Sequence, residues 1–333
     1  MTASAELQAF AAAIAEAGVG GVSCRRNSGR GHRHLEMGSL RQLRFYQPGD
    51  LTVGCDAGMT VAELNAILAP HGQWVPIDVA RPAATTLGAV LAEHRSGPLR
   101  QRFGTVRDFA IGMEMATAQG ELVHCGGRVV KNVAGYDWAK LAIGSRGAIG
   151  IITGVNFRVF PQLGPTATGH FAQLAWPQVE ALRSRLLHSP LRPLAIELWR
   201  AANEAPSVYV RSGGSEAVLA RCRAELEALA RAGKCEFAMV AEGAGEAELW
   251  RRVAEFPASG GSRVALPAAE AVAQMEALPA GVAISGRLGL GVYHVRGAAP
   301  APAAVDAATA ELMARLKREL DPDGRLHGDS CVG

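Results

Sequence analysis

Between Gly126 and Ile152 the chain is punctuated by glycine and then enters a β-branched run. Two pieces stand out: Lys131-Asn132-Val133-Ala134-Gly135-Tyr136-Asp137, and Gly144-Ser145-Arg146-Gly147-Ala148-Ile149-Gly150-Ile151-Ile152. Glycine is required where φ must be positive or a Cβ would clash. Glycine beside a strand also lets another body approach the main chain closely. A turn of this kind feeding a strand suits a fold whose bare backbone meets a large planar or phosphorylated ligand. It equally suits a plain chain reversal, and these residues alone leave both open.

The length of 333 residues suggests two domains of ordinary size or one large one. Apolar residues make up 49% and charged residues 20%, enough for a sizeable core in a globular protein. A net charge of +3 gives no electrostatic case for nucleic acid or an acidic membrane. One basic cluster is local: Arg25, Arg26, Arg30, His32, Arg33 and His34. It reads as a solvated loop or as a site for a polyanion such as a diphosphate. No apolar run reaches the roughly 18 residues of a membrane span. Ala9 to Ala15 is flanked by Glu6 and Glu16 without a basic leader, so a secretion signal is not expected. The six cysteines (24, 55, 125, 222, 235, 331) form no C-x-x-C pair, which argues against a zinc site or an iron–sulfur cluster. They read as buried small apolar residues in a reducing cytosol.

The first half reads as strand-rich with short helices. Ala5 to Ala17 is an Ala-rich helix and Val19 to Cys24 a short strand. Pro48-Gly49-Asp50 turns the chain into a strand from Leu51 to Cys55. Thr60 to Glu63 fits a capping box opening a helix to about Leu68. Thr85 or Thr86 caps a helix from Leu87 to Glu93. Phe109 to Thr117 and Glu121 to His124 flank Gln119-Gly120 as a hairpin, and Ile149 to Phe160 is a long strand closed by Pro161.

After Pro161 the order changes. Strands at His170–Ala175, Leu194–Trp199, Val208–Arg211 and Cys235–Val240 alternate with helices at Pro177–Leu187 and Ser215–Arg231. That order is the β-α-β-β-α-β pattern of a ferredoxin-like sheet. Ala244–Glu255 and Ala268–Ala277 read as helices, Val282–Val295 as strand, Ala298–Ala304 as linker and Val305–Leu320 as an amphipathic helix. The domain boundary falls near Pro161–Gly164, giving 1–161 and 162–333.

With these pieces in order, the first half resembles the vanillyl-alcohol-oxidase (PCMH-type) FAD-binding family, and within it the FAD-binding (E-type) subunits of bacterial glycolate oxidase. The resemblance rests on Ala57–Leu64, Ala84–Gly88, Phe103–Asp108, Gly126–Asp137 and the run to Ile152, and covers about residues 18–161. It implies an α+β protein: a two-lobed PCMH-type FAD-binding domain (1–161) followed by a ferredoxin-like cap (162–333). The cofactor it implies is FAD, with no metal. It places Asn27, Ser28, Gly29, Arg30, Gly31 and His32 in a diphosphate loop, where successive amides form an anion nest. Thr85, Thr86, Leu87 and Gly88 would hold the diphosphate or ribityl chain through hydroxyls and helix N-terminal amides. Ser96, Gly97, Gly104, Thr105 and Asp108 match the loop passing the isoalloxazine, and Gly147, Gly150, Ile151 and Ile152 the strand packing on the adenosine or ring system. Lys131, Tyr136 and Asp137 read as a hydrogen-bonded knot between elements, with proton transfer as the alternative. His32 reads as an exposed or phosphate-contacting residue.

The implied function is that of an FAD-binding subunit of a multi-subunit glycolate (2-hydroxy-acid) oxidase, relaying electrons from oxidation of glycolate to glyoxylate. The implied partners are a larger flavin subunit and an iron–sulfur subunit. The implied location is cytoplasmic, with any attachment to the inner membrane made through those partners. Two alternatives stay open: a self-sufficient oxidoreductase on another hydroxy acid or alcohol, or a structural subunit that has lost its flavin. The second half carries His170, His188, His294 and His327 with no pair at ligand spacing. His294 reads as a strand residue with a satisfied hydrogen bond, and no catalytic residue is assigned.

Overall fold

The computed structural model describes residues 5–17, 22–23, 33–34, 37–128, 138–240, 242–297 and 305–326. Asn27 to His32 and Lys131 to Asp137 therefore lie outside the described residues. The first half opens with α1 (Ala5–Ala15), then β1 (Val22–Ser23) and β2 (Arg33–His34), which pair in parallel. β3 (Leu43–Gln47), β4 (Thr52–Asp56), α2 (Val61–Leu68) and β5 (Gln73–Trp74) follow. Next come α3 (Leu87–Ala92), α4 (Arg100–Phe103), α5 (Val106–Phe109), β6 (Ala110–Ala116), β7 (Leu122–Gly126), α6 (Trp138–Ala142), β8 (Ile151–Arg158) and β9 (Phe160–Pro161).

α2 starts where the sequence says it should. Thr60 Oγ1 accepts the Glu63 N–H at 3.2 Å while Glu63 Oε2 accepts the Thr60 N–H at 2.8 Å, so two first-turn donors are satisfied reciprocally. The main sheet runs β3-β4-β8-β6-β7 with every neighbouring pair antiparallel. Leu64, Leu68, Leu87, Leu91, Phe109 and Phe157 fill the core beneath it. One polar knot crosses the sheet. Arg44 donates to Asp56 and Glu114, both at 2.6 Å, and Thr153 Oγ1 donates to Glu114 at 2.7 Å. Gly154 makes room for it, because a Cβ there would lie 2.2 Å from the Arg44 guanidinium.

The second half contains β10 (Thr166–Ala172), α7 (Trp176–His188), β11 (Ala195–Arg200), β12 (Ser207–Gly213), α8 (Glu216–Gly233) and β13 (Glu236–Met239). α9 (Ala244–Glu255), β14 (Ser262–Ala265), α10 (Ala271–Glu276), β15 (Ala283–Arg287), β16 (Val292–Arg296) and α11 (Ala307–Leu320) complete it. The elements from β10 to β13 follow the β-α-β-β-α-β order, but their sheet does not end there. Seven strands run β13-β10-β12-β11-β15-β16-β14, so a four-stranded cap is too small a description. The segment read as one strand, Val282–Val295, is an antiparallel hairpin of β15 and β16 that turns at Gly291, φ +66°.

The two faces of this sheet differ. One carries Phe171, Ile196, Leu198, Val208, Val210, Ile284 and Tyr293 under α7, α8 and α10. On the other, α9 places Leu249, Trp250 and Val253 over Ala195 and Tyr209. Beyond α9 that second face holds Glu197, Ser285, Arg287 and His294, aligned by register: Glu197 opposite Arg287, and Ser285 opposite His294.

α11 does not stay with the second half. Lys317 Nζ donates to Ala148 O at 2.8 Å, Arg325 Nη1 to Ala118 O at 3.2 Å, and Leu326 joins a cluster with Leu7, Phe10 and Ile14 of α1. The end of the described chain therefore packs on the first half. No helix among the described residues is long and apolar enough to cross a membrane, and no group of three His, Cys, Asp or Glu among them is placed to hold a metal.

Candidate functional site

The stretch from Thr85 to Asp108 carries nine of the nineteen site residues expected from sequence, and the structure divides them. Thr86 caps α3 through its hydroxyl, which accepts the Ala89 N–H at 3.2 Å. The first-turn amides expected to hold an anion are already engaged. Leu87 N–H donates to Met59 O at 2.9 Å and Gly88 N–H to Ala57 O at 2.7 Å. Once spent on carbonyls these donors do not serve a diphosphate, so that expectation is corrected; the hydroxyls of Thr85 and Thr86 remain. Thr105 and Asp108 form a capping box on α5, the carboxylate accepting the Thr105 N–H at 2.7 Å and its hydroxyl at 2.9 Å. Burial works against ionisation of Asp108, but the Thr105 bonds and the charges of Lys140 and Arg100 hold its pKa below the ordinary value. Gly104, φ +78°, closes α4 directly before that box.

Ser96 and Gly97 are different. Their N–H groups meet no backbone acceptor among the described residues, although Gly97 is buried. Gly97 must be glycine, since a Cβ would lie 2.4 Å from Asp78 O. Gly144 N–H donates to Leu91 O and Arg146 N–H to Ala92 O, pinning the Gly144–Gly147 turn onto the end of α3 beside His94. Gly147 has φ +84° and open space where its Cβ would be. Gly150 packs against the chain itself, its missing Cβ position lying 2.4 Å from Met115 Sδ. Ile151 and Ile152 are buried in two apolar clusters. Their side chains face protein.

Buried polar atoms nearly always find a partner, and exceptions mark places where something else completes the bonding. His94 Nε2, Gln101 Oε1, Ser145 Oγ, Glu197 Oε2 and Arg287 Nε are buried with none. With the amides of Ser96 and Gly97 they supply donors and acceptors suited to the heteroatom-rich edge of a flavin. On this observation the residues fit FAD.

The same region assembles groups that the sequence did not single out. Arg287, 3% exposed, reaches across the two halves and donates through Nη2 to Ser96 O at 3.0 Å. Asp78 lies close by, partly buried, accepting the Leu99 N–H at 3.3 Å. Burial raises the Asp78 pKa, opposed by the Leu99 N–H and by the charges of Arg211 and Arg287. Glu197 is buried to 1% exposure and accepts from Ser285 Oγ at 2.7 Å; burial pushes its pKa up to about 7.

Arg263 on β14 is the register partner of His294 on β16, so the two side chains leave the sheet on one face. Desolvation, then the charges of Arg100 and Arg287, lowers the Arg263 pKa. Desolvation, then Arg287 and Arg263, takes His294 down to about 3. Its ring makes no hydrogen bond among the described residues, which corrects its reading as a satisfied strand residue. His94, at φ +49°, is also lowered, by burial and then by Arg100, Arg107 and Arg263. Two neutral imidazoles thus face Arg100 and Arg263, which have no ion pair among the described residues, and Arg287, whose charge bears on Asp78 and Glu197. Such a group binds an anion, carboxylates best because the guanidinium fork matches their geometry. A neutral imidazole beside it is able to accept a proton.

Comparison with known proteins gives the site its context. Residues 17–126 match the family model described as FAD binding domain. Glycolate oxidase subunit GlcE of Escherichia coli (strain K12) is 35% identical over 129 residues, which is 38% of this chain and 37% of that protein. The mitochondrial D-lactate dehydrogenase [cytochrome] of Arabidopsis thaliana is 32% identical over 139 residues, 41% of this chain and 24% of that protein. Glycolate oxidase subunit GlcD of Bacillus subtilis (strain 168) is 30% identical over 123 residues, 37% of this chain and 26% of that protein. The chain thus spans 37% or less of the length of these curated relatives. A solved structure, alkyldihydroxyacetonephosphate synthase in P1, shares the fold with TM-score 0.64 at 15% identity, covering 96% of this chain and 72% of that one. The amino-terminal region, residues 17–126, is thus an FAD-binding domain similar to those of the glycolate oxidase subunits.

Proposed function

We propose that the chain is the FAD-binding subunit of a multi-subunit 2-hydroxy-acid oxidase or dehydrogenase whose substrate is glycolate. In this reading residues 1–161 carry the cofactor and residues 162–333 form the cap, with α11 strapped back onto the first half. Thr85, Thr86, Ser96, Gly97, Gly147 and Ser145 would hold FAD, with the Asn27–His32 loop on its diphosphate. When bound, FAD supplies the acceptor for the two electrons of the oxidation.

What supports the reading is the joining of Arg100 and Arg263, which have no ion pair among the described residues, a neutral His294 and the open amides of Ser96 and Gly97 at one place between the halves. Arg287, Arg263 and Arg100 hold the substrate carboxylate and fix the hydroxyl-bearing carbon. His294 takes the hydroxyl proton on its imidazole nitrogen. The bound carboxylate offsets the arginine charges that keep this imidazole neutral, so it becomes a stronger base when substrate is present. This cluster favours a chain that handles the hydroxy acid itself over one that only relays electrons from a larger flavin subunit. An iron–sulfur partner would carry electrons onward, and any membrane attachment would come through such partners.

The test is purification after co-expression with candidate flavin and iron–sulfur subunits, compared with the chain alone. FAD at one per chain, retained in both preparations and co-purifying with the partners, supports the proposal. A colourless chain inside an assembled complex contradicts it.

A further inference from the structure

A second cleft, of about 430 Å³, opens between the halves, lined by α4 and β9 on one side and by β12, α8 and the α7–β11 loop on the other. Its floor is apolar, built on Phe103 and Phe160, whose rings meet edge-on with centroids 5.2 Å apart, with Leu191 and Leu194 beside them. Its rim carries Arg102, Arg192 and Arg221, all exposed. None of the three has an ion pair or hydrogen bond from its side chain among the described residues, and no carboxylate lines the cleft. Elsewhere arginines find acids: Arg183 pairs with Glu180 and Arg251 with Glu248 and Glu255. A fourth cation stands close by. The Arg158 guanidinium lies over the Phe160 ring, 4.7 Å from its centroid, and its Nε is buried without a partner.

Pockets of a few hundred Å³ with an apolar lining and a few convergent polar groups are the usual form of small-molecule sites. Here the lining selects an apolar body and the rim selects negative charge. We propose that this cleft is a binding site for a small amphipathic carboxylate, its chain or ring on Phe103 and Phe160 and its carboxylate between Arg192 and Arg221. Arg102 comes from the first half and the other two arginines from the second, so a bound ligand ties the halves together and raises the melting temperature.

The test is calorimetric titration of the FAD-loaded protein with octanoate, octanol and acetate. The expected result is one octanoate per chain, with octanol at least about tenfold weaker because it lacks the charge-assisted bond, and acetate at least about tenfold weaker because it lacks the apolar chain. Arg192→Ala/Arg221→Ala is expected to weaken octanoate about tenfold or more while leaving octanol unchanged. Arg102→Ala, on the opposite wall, is a second variant expected to weaken octanoate. These side chains are exposed, and circular dichroism verifies that the variants fold. Equal octanoate affinity in wild type and both variants overturns the proposal. So does binding of an acidic aromatic peptide with no octanoate binding, which would make the cleft a protein-docking site.

Discussion

Replacing Glu197 by Gln isolates one buried carboxyl and its effect on stability. Glu197 Oε1 accepts from Ser285 Oγ at 2.7 Å, and Oε2 is buried without a partner. Burial, opposed by Arg287 and Ser285 and reinforced by Asp78, lifts the pKa from 4.5 to about 7. A carboxyl whose pKa is higher folded than unfolded contributes stability while protonated. That contribution is complete below about 4.5 and is lost as the pH rises through about 7. At about 1.4 kcal/mol per pH unit, the interval corresponds to a loss of about 3 kcal/mol. Gln keeps an acceptor for Ser285 and cannot ionise. The expected outcome is that Glu197→Gln gains on wild type by about 3 kcal/mol between pH 4.5 and 8. Urea unfolding of both proteins across that range, with coincident transitions by two probes, measures it. His294 titrates below pH 6.5 with the opposite sign, but it is common to both proteins and cancels in the difference. A difference that is flat with pH, or that falls as pH rises, would refute the burial argument.

Three other outcomes follow from the same geometry. His294 is held neutral down to about pH 3 against 6.5 when unfolded, so wild type loses stability as pH falls through that window. His294→Gln is expected to lose less over the same acid titration, and equal acid sensitivity would contradict the assignment. Arg287→Met leaves the buried Glu197 and the partly buried Asp78 without a nearby cation, and is expected to cost about 3–5 kcal/mol in urea unfolding at pH 8; a cost below 1 kcal/mol, taken as roughly the value of an exposed pair, would mean the cluster is solvated. Leu64→Ala, at a site with 0% exposure in the first core, is expected to cost about 2–5 kcal/mol by the same assay, and a negligible loss would place Leu64 outside that core.

Local signals were legible because they act over three or four residues. The Thr60–Glu63 capping box, the Gln119–Gly120 hairpin turn and the amphipathic helices around α8 and α11 all appear where their residues indicate. Long-range consequences were not. The sequence of α3 shows a threonine cap and small residues, but not that the carbonyls of Ala57 and Met59 arrive to use its amides. Gly286, Gly289 and Gly291 sit in a run of strand formers and hid the turn between β15 and β16. The arginine–histidine cluster comes from α4, β14, β15 and β16 and the end of α3, so no spacing along the chain announces it. One signal was available: Ser285, Arg287 and His294 occupy every second position of strands whose other positions are apolar or glycine, so one sheet face is polar where it is covered. At Gly150 the body that approaches the missing Cβ is Met115, so Gly150→Val would disturb packing there.

The decisive measurement is the anaerobic reductive half-reaction of the FAD-loaded chain without partners, followed at the flavin band near ~450 nm after mixing with glycolate. Bleaching that saturates with glycolate is expected in wild type, with Arg263→Gln needing about tenfold more glycolate for the loss of one charged contact and His294→Gln slowed at saturation while its flavin content is unchanged. A flavin that stays oxidised at every glycolate concentration, or that bleaches identically in all three proteins, would contradict a carboxylate-binding site between the two halves.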